Sequence, residues 1–119
     1  MDHKKLNAWL KSVDFTEEIY KLTLRFPKHE INGLVSQLRR AAVSIPTNIA
    51  EGSSRNHNKE VIQFLYFSLG SASEIETLLL ICKKVNYIDE AEQNHLLSHL
   101  TSIKVTIIGL IKYLKNKPQ

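Results

Sequence analysis

The side chains able to do covalent or metal chemistry are few and scattered. Cys82 is the single cysteine. It falls on the apolar face of a helical pattern, where a thiol behaves as a small hydrophobe rather than a nucleophile. Of the five histidines, only His95 and His99 stand four residues apart, the spacing that lets one helix turn two ligands toward one metal. The pair lacks the glutamate that serves as general base in zinc proteases, and neither histidine lies on the apolar stripe. Two solvated histidines are therefore expected. Glu51, Glu60, Glu74 and Glu76 would suit a carboxylate metal centre only beside Glu-x-x-His pairs, and the sequence has none. It also has no phosphate-cradling glycine loop, no Gly-x-Ser-x-Gly elbow and no dinucleotide fingerprint. The expectation is no catalytic residue, no metal and no cofactor.

Non-covalent chemistry is better represented. Gln37 to Arg55 reads QLRRAAVSIPTNIAEGSSR. Within it Gln37, Arg40, Ser44, Asn48 and Glu51 recur every three or four residues, giving one polar stripe that flanks an apolar one. Two readings stand side by side. In the first, the stripe is a hydrogen-bond network tying the second helix to the third, with Arg40 reaching Glu51, Glu74 or a backbone carbonyl. In the second, Arg39, Arg40, Arg55 and Lys59 contact phosphates, for which a guanidinium fork is well shaped, with Gln37 and Asn48 assisting. No aromatic residues interleave with these cations along the chain, so single-strand base stacking is not expected. Such binding would read the backbone and weaken with salt.

These residues must be carried by helices. The chain has 119 residues, enough for one domain spanning 1–119, with 43% apolar and 24% charged residues. One cysteine excludes a disulfide scaffold. No apolar run approaches the ~18 residues of a membrane span and no signal-peptide core opens the chain, so a cytoplasmic protein is expected, without membrane contact. Sixteen Lys/Arg against twelve Asp/Glu leave a net charge of +4 and a pI near 9.2. Beyond Glu92 there is no acid, only Lys104, Lys112, Lys115 and Lys117. These suit either a helix C-terminus or a phosphate-facing surface.

Helical periodicity appears four times. A first helix runs from about Lys5 to Arg25 and carries two apolar stripes: Leu6, Leu10, Val13, Tyr20 and Leu24, and, half a turn away, Ala8, Phe15, Ile19 and Leu22. Pro27 ends it. A second runs from His29 or Glu30 to Glu51 with Leu34, Leu38, Ala41, Ala42, Ile45 and Ile49 inward. Pro46 kinks it, and Gly52-Ser53-Ser54 form its cap and turn. A third spans about Asn58 to Lys84 with Val61, Phe64, Ser68, Ser71, Ile75, Leu78, Leu79 and Cys82 inward, closed by Asn86. A fourth starts at Asp89, which forms a capping box with Glu92. Short connections imply an all-α, antiparallel up-down-up-down four-helix bundle. Apolar residues beyond a single face point to self-association: the second stripe of the first helix, Val43 and Ala50, and Ile62, Leu65, Leu69 and Leu80.

The motif Gln37, Arg40, Ala41, Ser44, Ile45, Asn48, Ile49, Ala50, Glu51, Gly52 and Arg55 resembles that of the bundle proteins encoded in intervening sequences of bacterial 23S ribosomal RNA genes. Leu6 and Trp9, Ile19-Tyr20 before Phe26-Pro27 and Glu30, Phe64-Leu65, and Leu69-Gly70-Ser71 with Glu74 extend the resemblance over nearly the whole chain. Ser12 and Ser68 depart from it, standing where alanine is expected. The resemblance implies a four-helix bundle and a homopentameric ring. A related branch, the accessory variability determinant of diversity-generating retroelements, binds nucleic acid through basic residues and partners a reverse transcriptase. Two functions follow as expectations. One is nonspecific RNA or DNA binding by an oligomer. The other is a protein-interaction scaffold docking a partner through apolar surface.

Overall fold

The computed structural model describes residues 1–118. Its long helices are α1 (Asn7–Thr23), α2 (Leu34–Ser53), α3 (Asn58–Lys84) and α4 (Glu90–Lys115). Short 3₁₀ turns at His3–Lys5 and Lys28–Glu30 precede α1 and α2. There are no strands among the described residues. The helices pack as a bundle 49 Å long, with α2 lying against both α1 and α3, and α4 against both α3 and α1. The connections are short, so successive helices run antiparallel.

Helix ends follow local chemistry. Asp89 Oδ1 accepts from the Glu92 amide at 2.8 Å, and Glu92 Oε1 accepts from the Asp89 amide at 2.9 Å, completing the capping box. After α3, Asn86 adopts a left-handed φ of 65°, and the Tyr87 amide donates back to the Cys82 carbonyl at 2.9 Å. Glu30 Oε1 accepts from the Leu34 amide at 3.2 Å, capping α2 through a side chain that Tyr87 Oη also reaches at 2.8 Å. Because that cap lies ahead of the helix, α2 starts at Leu34 rather than at His29 or Glu30.

The core is one apolar cluster. Phe15, Ile19, Leu38, Ile45, Ile49, Leu65, Ile75, Leu79, Leu100, Ile103 and Ile107 are its large, fully buried side chains. On α1 the stripe of Ala8, Phe15 and Ile19 faces inward with Ser12 and Thr23, while Leu10, Val13, Tyr20 and Leu24 lie exposed. This reverses the sequence expectation that made the second stripe and Leu65 surplus to the core: the neighbouring helices bury them and leave most of the first stripe exposed. On α3, Leu65 joins the core, Phe64 is half-buried, and Ile62 and Leu69 pack at its edge. The buried serines are bonded: Ser12 Oγ donates to the Trp9 carbonyl and Ser68 Oγ to that of Ile45, each at 2.9 Å.

α2 runs uninterrupted through buried Pro46 and on to Ser53, so Gly52 lies inside the last turn rather than capping it. A proline at 46 leaves the Ala42 carbonyl without its usual i+4 donor. Thr16 Oγ1 on α1 stands 3.1 Å from that carbonyl and 2.8 Å from its own Ser12 carbonyl. Gly52 serves as space: a Cβ there would meet Phe64 Cβ at 2.7 Å.

By length and composition, α3 and α4 are each long and apolar enough to cross a membrane. A search for an unbroken apolar run overlooks this, because small polar residues interrupt both helices without lowering their mean hydropathy much. In the bundle each turns its apolar stripe into the core.

The far end of the bundle is sensitive to acid. Arg25 forms an ion pair with Glu92 and, with the Asp89 amide, holds the Glu92 carboxyl below the usual carboxylate range. The Leu34 amide and then Tyr87 do the same for Glu30. A carboxyl whose folded pKa is depressed stabilises the fold above its unfolded pKa, and this is lost as pH falls through the folded value. Thermal melting followed by circular dichroism should therefore drop on acidification through and below about pH 4, the ordinary carboxylate range. Arg25→Gln should flatten that decline.

Candidate nucleic-acid interface

The four candidate phosphate contacts do not form one patch. Arg39 and Arg40 lie in the first half of α2, and Arg55 and Lys59 lie beyond its end. From Arg40 to Ser53 alone the helix rises about 20 Å.

Arg39 is committed to α1. Its Nε donates to Thr23 Oγ1 at 2.9 Å, its Nη2 to the Tyr20 carbonyl at 3.3 Å, and its guanidinium lies 4.5 Å from the Tyr20 ring centroid. It is a strut between helices. Arg40 is exposed and makes no hydrogen bond or ion pair among the described residues. It borders a cleft of about 330 Å³ together with Gln37, Ser44, Ser71 and Glu74, but pairs with none of them. The network that ties α2 to α3 is built without it. Asn48 Nδ2 donates to the Ser44 carbonyl at 2.8 Å and to Ser44 Oγ at 2.9 Å, and Ser71 Oγ donates to Ser44 Oγ at 2.9 Å. Gln37 and Glu51 are exposed, and Glu51 pairs with Arg55 at 3.1 Å instead. The polar stripe thus divides: Ser44 bridges to Ser71 of α3 with Asn48 bonded to it from within α2, while Gln37 and Arg40 are exposed. Arg40→Ala should leave the melting temperature nearly unchanged, within about 0.5 kcal/mol of stability. A clear destabilisation in urea titration would restore the network role to Arg40.

The second pair of candidates belongs to a larger cluster. Antiparallel topology brings the chain start, the α2–α3 connection and the end of α4 to one end of the bundle. The Met1 amino group donates to the Ser53 carbonyl at 3.1 Å, and Asn58 Nδ2 donates to the carbonyls of Leu114 (3.4 Å) and Lys117 (3.3 Å). Residues 1–6, 51–60 and 110–118 together carry Lys4, Lys5, Arg55, Lys59, Lys112, Lys115 and Lys117, all exposed. Only Asp2, Glu51 and Glu60 oppose them. At the other end, residues 22–34 and 82–93 are balanced: Arg25, Lys28, Lys83 and Lys84 against Glu30, Asp89, Glu90 and Glu92. A net charge of +4 is thus concentrated at one pole.

Sequence reasoning singled out Arg55 and Lys59 and noted the α4 lysines. It missed Lys4 and Lys5. The signal available was topological, since an up-down-up-down bundle places the start of its first helix beside the end of its fourth. The absence of aromatic residues along the basic segment is also corrected in three dimensions. Arg55 lies over the Phe64 ring at 4.6 Å from its centroid, Lys115 over Tyr66 at 5.5 Å and Lys117 over Tyr113 at 5.6 Å. Tyr113 lies only four residues before Lys117, but Phe64 and Tyr66 are on α3, away along the chain from Arg55 and Lys115.

The groups considered for covalent or metal chemistry are held in other ways. Cys82 is fully buried and burial pushes its thiol up to about 11, the reverse of what a nucleophile requires. His95 Nε2 and His99 Nδ1 each lie 3.3 Å from a different oxygen of Glu18 on α1. His95 is exposed, whereas His99 is half-buried with its ring edge-on to Phe15. Among the described residues, no three His, Cys, Asp or Glu side chains are placed to hold a metal ion.

Comparison with known proteins bears on the whole chain. The family model described as 23S rRNA-intervening sequence protein matches residues 4–109. A similar solved structure is a protein with unknown function from the S23 ribosomal protein family of Bacteroides thetaiotaomicron VPI-5482. It is 25% identical, with a TM-score of 0.79 over 88% of this chain and 98% of that one. No curated protein matches the sequence.

Proposed function

Since the chain belongs to the 23S rRNA-intervening sequence protein family, we propose that it is a non-enzymatic, self-associating, cytoplasmic helical bundle that binds RNA or DNA through its basic pole. One observation carries this reading: seven exposed Lys and Arg side chains converge at one end of the bundle against three carboxylates. Ammonium groups on flexible stems suit phosphates without reading bases, so binding is nonspecific and salt-dependent. Arg55 and Lys59 belong to this surface, with Lys4, Lys5, Lys112, Lys115 and Lys117. Arg40 is separate from it, and Arg39 is spent on α1. Self-association is supported by the exposed Leu10, Val13 and Tyr20 of α1 and Leu24 just after it, with Ile31 and Val43 beside Tyr20. A ring, pentameric by the family resemblance, would repeat the basic pole and strengthen its field.

The same exposed apolar residues favour a second reading, a scaffold that docks another protein and ignores nucleic acid. Light scattering coupled to size exclusion separates the two, run with and without a generic RNA at low and high salt. We expect a mass of several protomers that shifts with RNA at low salt only. An oligomer indifferent to RNA at low salt would leave the scaffold as the better account. A monomer would remove self-association from both readings.

A further inference from the structure

At the basic pole, α3 and α4 enclose an open groove of about 640 Å³. Ile62 and Leu114 contribute apolar lining, and Lys59, Lys115 and Lys117 contribute cations. One turn of α3 beyond Ile62 stands Tyr66, 49% exposed. Lys115 joins it to the groove, its Nζ donating to Tyr66 Oη at 3.1 Å. Tyr113, also exposed, repeats the pairing of ring and lysine with Lys117.

We propose that this groove takes an unpaired nucleotide of a single-stranded nucleic acid, its base stacked on Tyr66 and its flanking phosphates held by Lys59, Lys115 and Lys117. The inference rests on the reading that the basic pole binds nucleic acid, and adds which form it binds. Phosphate binding alone calls for lysines and no exposed ring. A tyrosine left half in water, bonded to one of the groove's three lysines, offers a π-face, and every base has a face to match. In a duplex both faces of each base are already covered by neighbours, so only an unpaired base can use the ring. The lysine on the ring is no obstacle, since an exposed cation–π contact is weak and the stem is flexible. Neither an ammonium nor a phenol ring selects for the 2′-hydroxyl, so RNA and DNA strands should bind alike.

The test is fluorescence anisotropy of the full chain at low salt with short labelled single strands, RNA and DNA, and with a duplex of the same sequence. Single strands should bind at least about five-fold more tightly than the duplex. Tyr66→Leu should abolish that preference and Tyr66→Phe should keep it, while Lys115→Ala should weaken binding to both forms. Tyr66 and Lys115 are both exposed, which makes all three variants compatible with folding. Equal affinity for strand and duplex, or a preference that survives Tyr66→Leu, would overturn the proposal while leaving phosphate binding at the basic pole intact. Binding of neither form would remove both.

Discussion

Replacing Gly52 with leucine should destabilise the fold by about 2–3 kcal/mol, read as a lower urea midpoint with an unchanged slope. Gly52 sits in the last turn of α2, where the helix crosses α3. A Cβ at this position would approach Phe64 Cβ to 2.7 Å and the Val61 carbonyl oxygen to 3.3 Å. Both obstacles lie on or next to a helix backbone, so neither can swing aside. Relief requires the two helices to part or Phe64 to leave its rotamer, which would also unseat Arg55 from the Phe64 ring. Gly52→Ala should show the same sign on a smaller scale, because its better helix propensity offsets part of the clash. Gly70 supplies the control. It lies mid-helix on exposed α3 surface, and a Cβ there would meet nothing within 4 Å. Gly70→Ala should therefore stabilise by about 0.5–1 kcal/mol. If alanine at 52 stabilises as it does at 70, the close crossing is not a constraint.

Thr16→Val should cost about 1–3 kcal/mol, and that cost should largely vanish when Pro46 is replaced by alanine. The Ala42 carbonyl is fully buried, and Pro46 brings no N–H to it. Thr16 Oγ1 is the neighbouring donor, at 3.1 Å. Valine keeps the shape of threonine and removes the donor, leaving a buried acceptor with no partner. Pro46→Ala restores the amide hydrogen to α2 and should make the hydroxyl dispensable. The readout is a double-mutant cycle in urea, with a coupling of about 1 kcal/mol or more. Equal penalties for Thr16→Val in both backgrounds would mean that the hydroxyl serves only the Ser12 carbonyl, 2.8 Å away.

Both cases turn on contacts between helices, which local sequence patterns do not show. Periodicity located all four helices, because which positions share a helix face is set within a few turns. The Asp89–Glu92 capping box was legible for the same reason, since both partners lie three residues apart. Where a choice depended on a neighbouring helix, local signals were ambiguous. The glycine at 52 carries the mark of a helix cap, but its use is to let α3 approach. The proline at 46 signals a kink, while the donor that accommodates it lies on α1.

The candidate site divides along the same line. The sequence alone determined the fold class, the family and the excess of cations, since these depend on composition and on spacing within single helices. It also brought Arg39, Arg40, Arg55 and Lys59 forward as one group, because they are close along the chain. Only the tertiary structure decided that Arg39 is spent on Tyr20 and Thr23, and that Arg40 stands alone in water. Only the tertiary structure joined Arg55 and Lys59 to lysines from both ends of the chain. Antiparallel packing brings together residues some 50 to 110 positions apart, and charge and aromatic surface at a bundle end depend on that packing, which no local period encodes.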